Sequence, residues 1–314
     1  MSESSKEIVV TGINGFVGEH LARHLKNDGY SVHGIGRELT PQPNVAPFVD
    51  TYSQADLLDK DSVKKVPVQS AKAIIHLAGL ASVADSFNKP DLYKSGNAEM
   101  TANLLASAQD QGFNGRVVMV STGALYDATQ PMPLGETSST TESSPYAIGK
   151  LRAEQVAKQY RENGKDIVIA RPFNHIGPGQ GKGFLVPDLY DQLRSVKEKG
   201  DSEILVGNLK TKRDYTDVRD IVAAYVKLAT AEKLEHDIYN IASGASYTGL
   251  EILDLLKKAA KLDSITPIID ESRVRPTDAM EITGNSGRLQ TEVDWKPQSS
   301  VKQAIEDFVA REKA

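Results

Sequence analysis

The chain contains no cysteine among its 314 residues. That absence excludes disulfides, thiol nucleophiles, iron–sulfur clusters and cysteine-type zinc sites together. No apolar run approaches the ~20 residues a membrane helix needs. The N-terminal segment is polar and runs straight into a short strand pattern, unlike a signal peptide. Positive charge is not in surplus: 37 Lys and Arg face 42 Asp and Glu, a formal net charge of −5. A general nucleic-acid binder would usually be basic. Internal repeats and low-complexity tracts are also missing. These absences point to a soluble, cytoplasmic protein with no nucleic-acid or membrane partner. What remains is 39% apolar residues and 24 Gly, enough to bury a sizeable core.

The first half alternates strand and helix patterns. Glu7–Thr11, Ser31–Gly36, Lys72–Leu77, Arg116–Ser121 and Asp166–Arg171 read as buried strands. Helices are expected over 15–28, 90–111 and 145–163. Repeated β-α units with continuous apolar strands predict an α/β fold, a doubly wound parallel sheet of Rossmann type. After Arg171 the texture changes. Residues 173–183 carry four Gly and one Pro and read as a long loop. Strands at 203–206 and 238–242, helices at 217–232 and 247–261, and a terminal helix from Val301 follow. The expected division is a dinucleotide-binding domain over 1–171, with 217–241 returning to it. Residues 172–314 then form mainly a smaller α+β substrate lobe.

Gly12-Ile-Asn14-Gly15-Phe16-Val17-Gly18 sits between the first strand and the first helix. Glycines there let backbone approach a pyrophosphate, and the helix N-terminus offers N–H donors. The second strand ends Gly36-Arg37-Glu38. An acid at that end would grip ribose hydroxyls, whereas Arg accommodates a 2′-phosphate. Arg37 therefore favours NADP(H), and Glu38 keeps NAD(H) open. Asp56-Leu57 follows the third strand region, where a carboxylate could accept from the adenine amino group. His76 reads as a packed strand residue. Leu77-Ala78-Gly79 after it lets the cofactor pass close to the strand end.

Tyr146 and Lys150 stand at i and i+4 on one helix face. A neighbouring ammonium should lower the phenol's pKa and make it a usable acid/base. Thr122, after the strand ending Val120-Ser121, would hold the substrate oxygen. His20 and His24 also stand at i, i+4, but are expected to be solvated rather than metal ligands. The stretch Glu136–Glu142 reads as a flexible, solvated lid.

Gly12-x-x-Gly15-x-x-Gly18, His76-Leu-Ala-Gly79, Asn97, Ser121-Thr122, Tyr146-x-x-x-Lys150 and Arg171-Pro-Phe-Asn174 occur in order. Together they resemble the extended short-chain dehydrogenases/reductases, a family of sugar-nucleotide epimerases, dehydratases and reductases. The resemblance covers essentially the whole chain. It implies Tyr146 as acid/base, Lys150 on the nicotinamide ribose and Thr122 as the third catalytic group. It also extends the cofactor contacts to Asn97 and Phe173. Two departures are Asp127 after Tyr126 and Gly149 before Lys150.

In the second half, 171–180, 206–209, 213–220, Arg275-Pro and 295–297 resemble the GDP-mannose branch, nearest its 4-keto-6-deoxy reductases. That likeness implies Ser82, Thr122, Asn174, Arg213 and Arg275 as substrate contacts, the arginines on a diphosphate. It also implies a homodimer paired through the helices at 90–111 and 145–163. Ala98, Leu104, Leu105 and Ala108 on the first and Ala147, Leu151 and Ala153 on the second are the supporting pattern.

Three reactions share this frame. Related dehydratases place an acid just after the Thr, where this chain has Gly123 and Ala124. A 4-epimerase usually shows an acidic end to the second strand. The expected activity is NAD(P)H-dependent reduction of a nucleotide-linked 4-keto-6-deoxy sugar at C4, GDP-4-keto-6-deoxy-mannose first. The alternatives are a nucleotide-sugar 4-epimerase and, in another class, a non-catalytic NADP-binding sensor. No metal is expected.

Overall fold

The computed structural model describes residues 6–273 and 279–313. Strand β1 (Glu7–Thr11) leads into helix α1 (Phe16–Asn27), then β2 (Ser31–Gly36) and β3 (Thr51–Gln54). A short helix α2 (Lys60–Val63) precedes β4 (Ala73–His76). Helices α3 (Val83–Asn88) and α4 (Pro90–Asp110) connect it to β5 (Arg116–Val120). Helix α5 (Pro145–Glu162) leads to β6 (Ile167–Pro172). The remainder runs β7 (Asn174–Ile176), α6 (Leu185–Lys199), β8 (Glu203–Val206), β9 (Lys212–Asp217), α7 (Val218–Thr230), β10 (Ile238–Ile241), β11 (Ser246–Thr248) and α8 (Gly249–Ala260). It ends with β12 (Thr266–Ile269), β13 (Glu281–Ile282), α9 (Gly287–Val293) and α10 (Val301–Lys313).

Seven strands form one parallel sheet in the order β10-β6-β5-β4-β1-β2-β3. From β1 the chain winds outward to β2 and β3, then crosses to β4 on the other side. That reversal opens a crevice at the strands' carboxyl ends, where ligands bind in such sheets. Alternate residues of each strand feed two cores. Ile8 and Val10 pack with Leu21 and Leu25 of α1 and with α7. Val9 and Ile74 pack with Leu104 and Ala108 of α4 and Ala153 of α5. Burial on both faces is why these strands read as unbroken apolar runs.

A third core lies among α6, α8 and α10, with Leu193, Leu253, Ile305 and Phe308 buried in it. It supports a small mixed sheet in which β9 pairs with β7, β11 and β13. Two differences from the sequence reading are local. The glycine-rich stretch 173–183 contains β7, because Asn174–Ile176 pair with Tyr215–Asp217. The helix expected from residue 247 starts at Gly249, since Ser246–Thr248 pair with β9 and Thr248 forms a capping box with Glu251.

Leu104, Leu105, Ala108, Ala147 and Ala153 are buried within the chain itself. Ala98 and Leu151 of the same pattern are only half-buried. Among the described residues, no helix is long and apolar enough to cross a membrane.

Candidate active site

The site is built on the carboxyl ends of β1, β2, β4, β5 and β6. Gly12 closes β1 with φ +70, a conformation L side chains rarely adopt. A Cβ there would stand 2.9 Å from the Ala78 nitrogen, and one at Gly18 would stand 2.3 Å from the Ile13 oxygen. Gly15 caps α1 without any side-chain hydrogen bond. The first-turn amides are thus left for a ligand, and the helix dipole favours an anion there. Backbone approach and open donors together fit the diphosphate of a dinucleotide.

Around this turn the expected cofactor residues converge. The Thr11 hydroxyl accepts from Ala78 N (3.1 Å) and bonds His76 Nδ1 at 2.8 Å. His76 Nε2 reaches Thr101 at 3.3 Å. Burial, helped by the nearby Lys150 charge, pushes His76 down to about 3, so it is a neutral packed residue as expected. Asn97 holds the strand-end loop by accepting from Leu80 N and donating to Leu80 O, at 2.8 and 3.2 Å. Gly79 lies beside both Asn97 and Lys150: a Cβ on it would be 2.9 Å from Asn97 Oδ1 and 3.3 Å from Lys150 Nζ.

At the end of β2, Arg37 is exposed. Asn14 donates to Glu38 Oε2 at 2.8 Å, and Tyr52 donates to the Glu38 carbonyl at 2.7 Å. The bond from Asn14 holds the Glu38 carboxyl below its ordinary value. The structure thus draws the Glu38 carboxylate in against Gly36 and Asn14, which sequence order alone did not show. Leu57 is buried, and exposed Asp56 accepts from Leu58 N at 3.0 Å.

Thr122 follows β5, and its hydroxyl accepts from Ala124 N at 3.1 Å, capping a short 3-10 turn over 123–125. Ser121 is engaged elsewhere, donating to Glu154 at 2.7 Å. Tyr146 and Lys150 project from the first two turns of α5, whose N-cap Ser144 accepts from Ala147 N at 3.1 Å. Both are buried. Gly149 is required because a Cβ there would stand 1.9 Å from the Tyr93 carbonyl oxygen.

One expectation is corrected here. The i, i+4 spacing predicts that Lys150 lowers the Tyr146 pKa. Burial instead pushes the phenol up, with hydrogen bonding to Thr122 working against it. The Lys150 ammonium donates to the Val120 carbonyl at 2.9 Å. Burial brings it down to about 8, with Glu154 one turn on opposing the fall. The phenol is therefore protonated at neutral pH.

Phe173 is buried, stacks on Tyr126 at 6.1 Å and packs against Gly123. Exposed Asn174 opens β7. Arg213, on β9, donates to the Ala279 carbonyl at 2.9 Å. Ser82 caps α3, accepting from Asp85 N at 3.0 Å. Arg275 lies outside the described residues.

Two bland expectations change. His20 is half-buried rather than freely solvated: its Nε2 bonds the Pro178 carbonyl at 2.8 Å and its ring meets Phe16 edge-on. The 136–142 stretch is not a free lid. Glu136 accepts from Asn240 N at 2.9 Å, and Tyr126 bridges Thr140. Among the described residues no cluster of His, Asp and Glu could hold a metal.

Residues 8–242 match the model of the NAD dependent epimerase/dehydratase family. The chain belongs to that family. It is 31% identical over 305 residues to a GDP-6-deoxy-D-mannose reductase of Pseudomonas aeruginosa, spanning 96% of this chain and 95% of that one. Its fold superposes on RMD from Pseudomonas aeruginosa, solved with NADPH, with TM-score 0.84 and 29% identity, covering 98% and 99% of the two chains. A UDP-glucose 4-epimerase from Thermotoga maritima, solved with UDP-glucose, gives TM-score 0.86 at 25% identity over 98% of each chain. Family membership accounts for the turn at Gly12–Gly18 and the doubly wound sheet. The Ser121–Glu154–Arg171 contacts escaped the sequence reading. Arg171 opens the Arg171-Pro-Phe-Asn174 motif, but nothing in the spacing says that its partner is Glu154.

Proposed function

We propose that the chain reduces a nucleotide-linked 4-keto-6-deoxy sugar at C4, with GDP-4-keto-6-deoxy-mannose as the first substrate to try. The observation that carries this is Gly123. Dehydration would call for an acid immediately after Thr122. A Cβ at Gly123 would already lie 2.8 Å from the Phe173 ring, so the turn has no room for a longer side chain. The next residue, Ala124, has no acid to offer. What remains beside Thr122 is a protonated phenol, the form a reduction needs. The 31% identity to a GDP-6-deoxy-D-mannose reductase supports the same choice.

A dinucleotide would lie over the turn at Gly12–Gly18 and the loop at Leu77–Gly79, with Lys150 and Asn97 at its nicotinamide end. Bound there in reduced form, it would supply hydride to a carbonyl carbon. Tyr146 gives its phenolic proton to the carbonyl oxygen, and Thr122 orients that oxygen. Lys150 offsets the charge left on the phenolate. Such a positioned donor contributes about 10²–10⁴-fold. Asn174, Arg213 and Arg275 are proposed for the diphosphate of the substrate. We assign NADPH as the preferred cofactor on the strength of exposed Arg37.

One observation favours a second reading. The Glu38 carboxylate, held at 2.8 Å by Asn14, stands at the end of β2 where an acid would accept from ribose hydroxyls. That is the arrangement of an NAD-retaining 4-epimerase. NADPH oxidation measured against a panel of GDP- and UDP-linked 4-keto sugars, with product identification, separates the two. Reduction of a 4-keto-6-deoxy sugar with release of oxidised cofactor supports the reductase. Interconversion of 4-hydroxyl epimers without net cofactor turnover supports the epimerase.

A further inference from the structure

Beneath Tyr146 and Lys150 lies a buried charged network that the reaction above does not use. The Arg171 guanidinium grips Glu154 with two bonds, Nε to Oε1 at 2.8 Å and Nη2 to Oε2 at 2.6 Å. The side chains are 4% and 2% exposed. Ser121 donates to the same Oε1 at 2.7 Å. The Tyr126 ring lies 4.9 Å from the guanidinium carbon, and its hydroxyl donates to Asn240 Oδ1 at 2.6 Å. The network therefore ties the ends of β5, β6 and β10 to α5.

As a stabilising device this is a poor choice, because a buried ion pair seldom outperforms apolar packing of similar volume. Its location suggests another role. Glu154 follows Lys150 by one helical turn, on the same face of α5. The titratable and charged groups around the ammonium are His76 from β4, Tyr146 and Glu154 from α5, Tyr93 from α4 against Tyr146, and Arg171 from β6 behind Glu154. His76 is neutral, and Glu154 carries the negative charge.

We propose that Glu154 is a positioning residue that keeps the Lys150 ammonium charged and locks the Ser121–Thr122 strand end to helix α5. This rests on the assignment of Tyr146 and Lys150 to the site. Ser121 fixes where Glu154 sits, and through it where Thr122 begins. Arg171 holds the carboxylate in place with its two bonds. Glu154 then compensates for the burial that brings Lys150 down to about 8.

The test reads the Lys150 ionisation through NADPH affinity, measured by fluorescence from neutral to alkaline pH. It uses wild type, Lys150→Met, Glu154→Gln, Glu154→Asp and the double variant Glu154→Gln/Arg171→Gln. Wild-type affinity should fall through one midpoint that Lys150→Met lacks. Glu154→Gln should lower that midpoint by about one unit or more, the scale of one charge a helical turn away. Glu154→Asp should leave it in place. Losing one member of a buried pair can unfold a chain. The double variant leaves no unpaired charge and should lower the midpoint as well. An unchanged midpoint in Glu154→Gln or in the double variant, with Lys150→Met flat, overturns the role of Glu154 and leaves the Lys150 assignment standing. A wild-type midpoint that persists in Lys150→Met overturns the Lys150 assignment itself, and this role with it.

Discussion

Glu19, in the first turns of α1, and Arg311, near the end of α10, meet in a two-pronged ion pair across 292 positions of sequence. Nη1 lies 2.7 Å from Oε1 and Nη2 lies 2.8 Å from Oε2. Asn44 adds a third bond to the carboxylate at 2.6 Å. The pair joins the helix behind the glycine turn to the C-terminal helix of the small lobe. Gly179 packs on the same guanidinium, since a Cβ there would be 2.8 Å from Arg311 Cζ. The loop that follows Asn174 is thereby seated against α1.

Glu19→Gln should therefore destabilise the chain by about 1–3 kcal/mol. That is less than the 3–5 kcal/mol typical of a fully buried pair, because Arg311 is 36% exposed. The pH dependence has a defined sign. Burial raises the Glu19 carboxyl, but the bonds from Arg311 and Asn44 outweigh it and the net shift is downward. A depressed carboxyl contributes stability that is present above its unfolded pKa and is lost as pH falls through the folded value. Chemical denaturation at neutral and acid pH should show a smaller acid loss in Glu19→Gln than in wild type. Equal acid losses would remove this pair from the account of acid stability.

Gly18→Ala should abolish cofactor binding and lower the melting temperature, because the new methyl meets the fixed backbone oxygens of Ile13 and Gly12. Gly135→Ala, where a Cβ would meet nothing within 4 Å, is the matched control and should be near neutral. Calorimetry and a cofactor titration read both variants. Unimpaired binding in Gly18→Ala would place the dinucleotide elsewhere.

Much of this architecture was legible because buried parallel strands advertise themselves. Glu7–Thr11 and Ser31–Gly36 are mostly apolar or small and buried on both faces. The edge strand Thr51–Gln54 is polar and partly exposed, so its sequence carries no such signal. The sequence reading assigns no helix to 185–199. The helix forms there by burying Val186, Leu189, Tyr190 and Leu193, and it tolerates Pro187 because the missing N–H falls in the first turn, where it costs little. The Tyr146-Lys150 spacing could be read from helix periodicity, but the direction of the Tyr146 shift could not. It depends on burial and on where the Lys150 ammonium points. The Glu154–Arg171 pairing joins a helix to a strand 17 residues on, and no local period encodes that.

The end of β2 yields a test of cofactor choice. Arg37→Ala should weaken NADPH selectively and leave NADH nearly unchanged, since the 2′-phosphate distinguishes the two cofactors. Glu38→Gln should strengthen NADPH relative to NADH, because it removes an anion from the same strand end. Dissociation constants for both cofactors on the three proteins decide this. Equal wild-type affinities, or an Arg37→Ala loss shared by NADH, would reverse the assignment and favour the reading built on Glu38.

The central claim is that Tyr146 donates the proton to a 4-keto oxygen, and Tyr146→Phe tests it most directly. The variant keeps the buried ring and loses the hydroxyl. Steady-state NADPH oxidation with GDP-4-keto-6-deoxy-mannose, run beside a cofactor titration, is the measurement. The account predicts turnover reduced by about 10²–10⁴-fold with cofactor affinity largely retained. Near-wild-type turnover in Tyr146→Phe would contradict it.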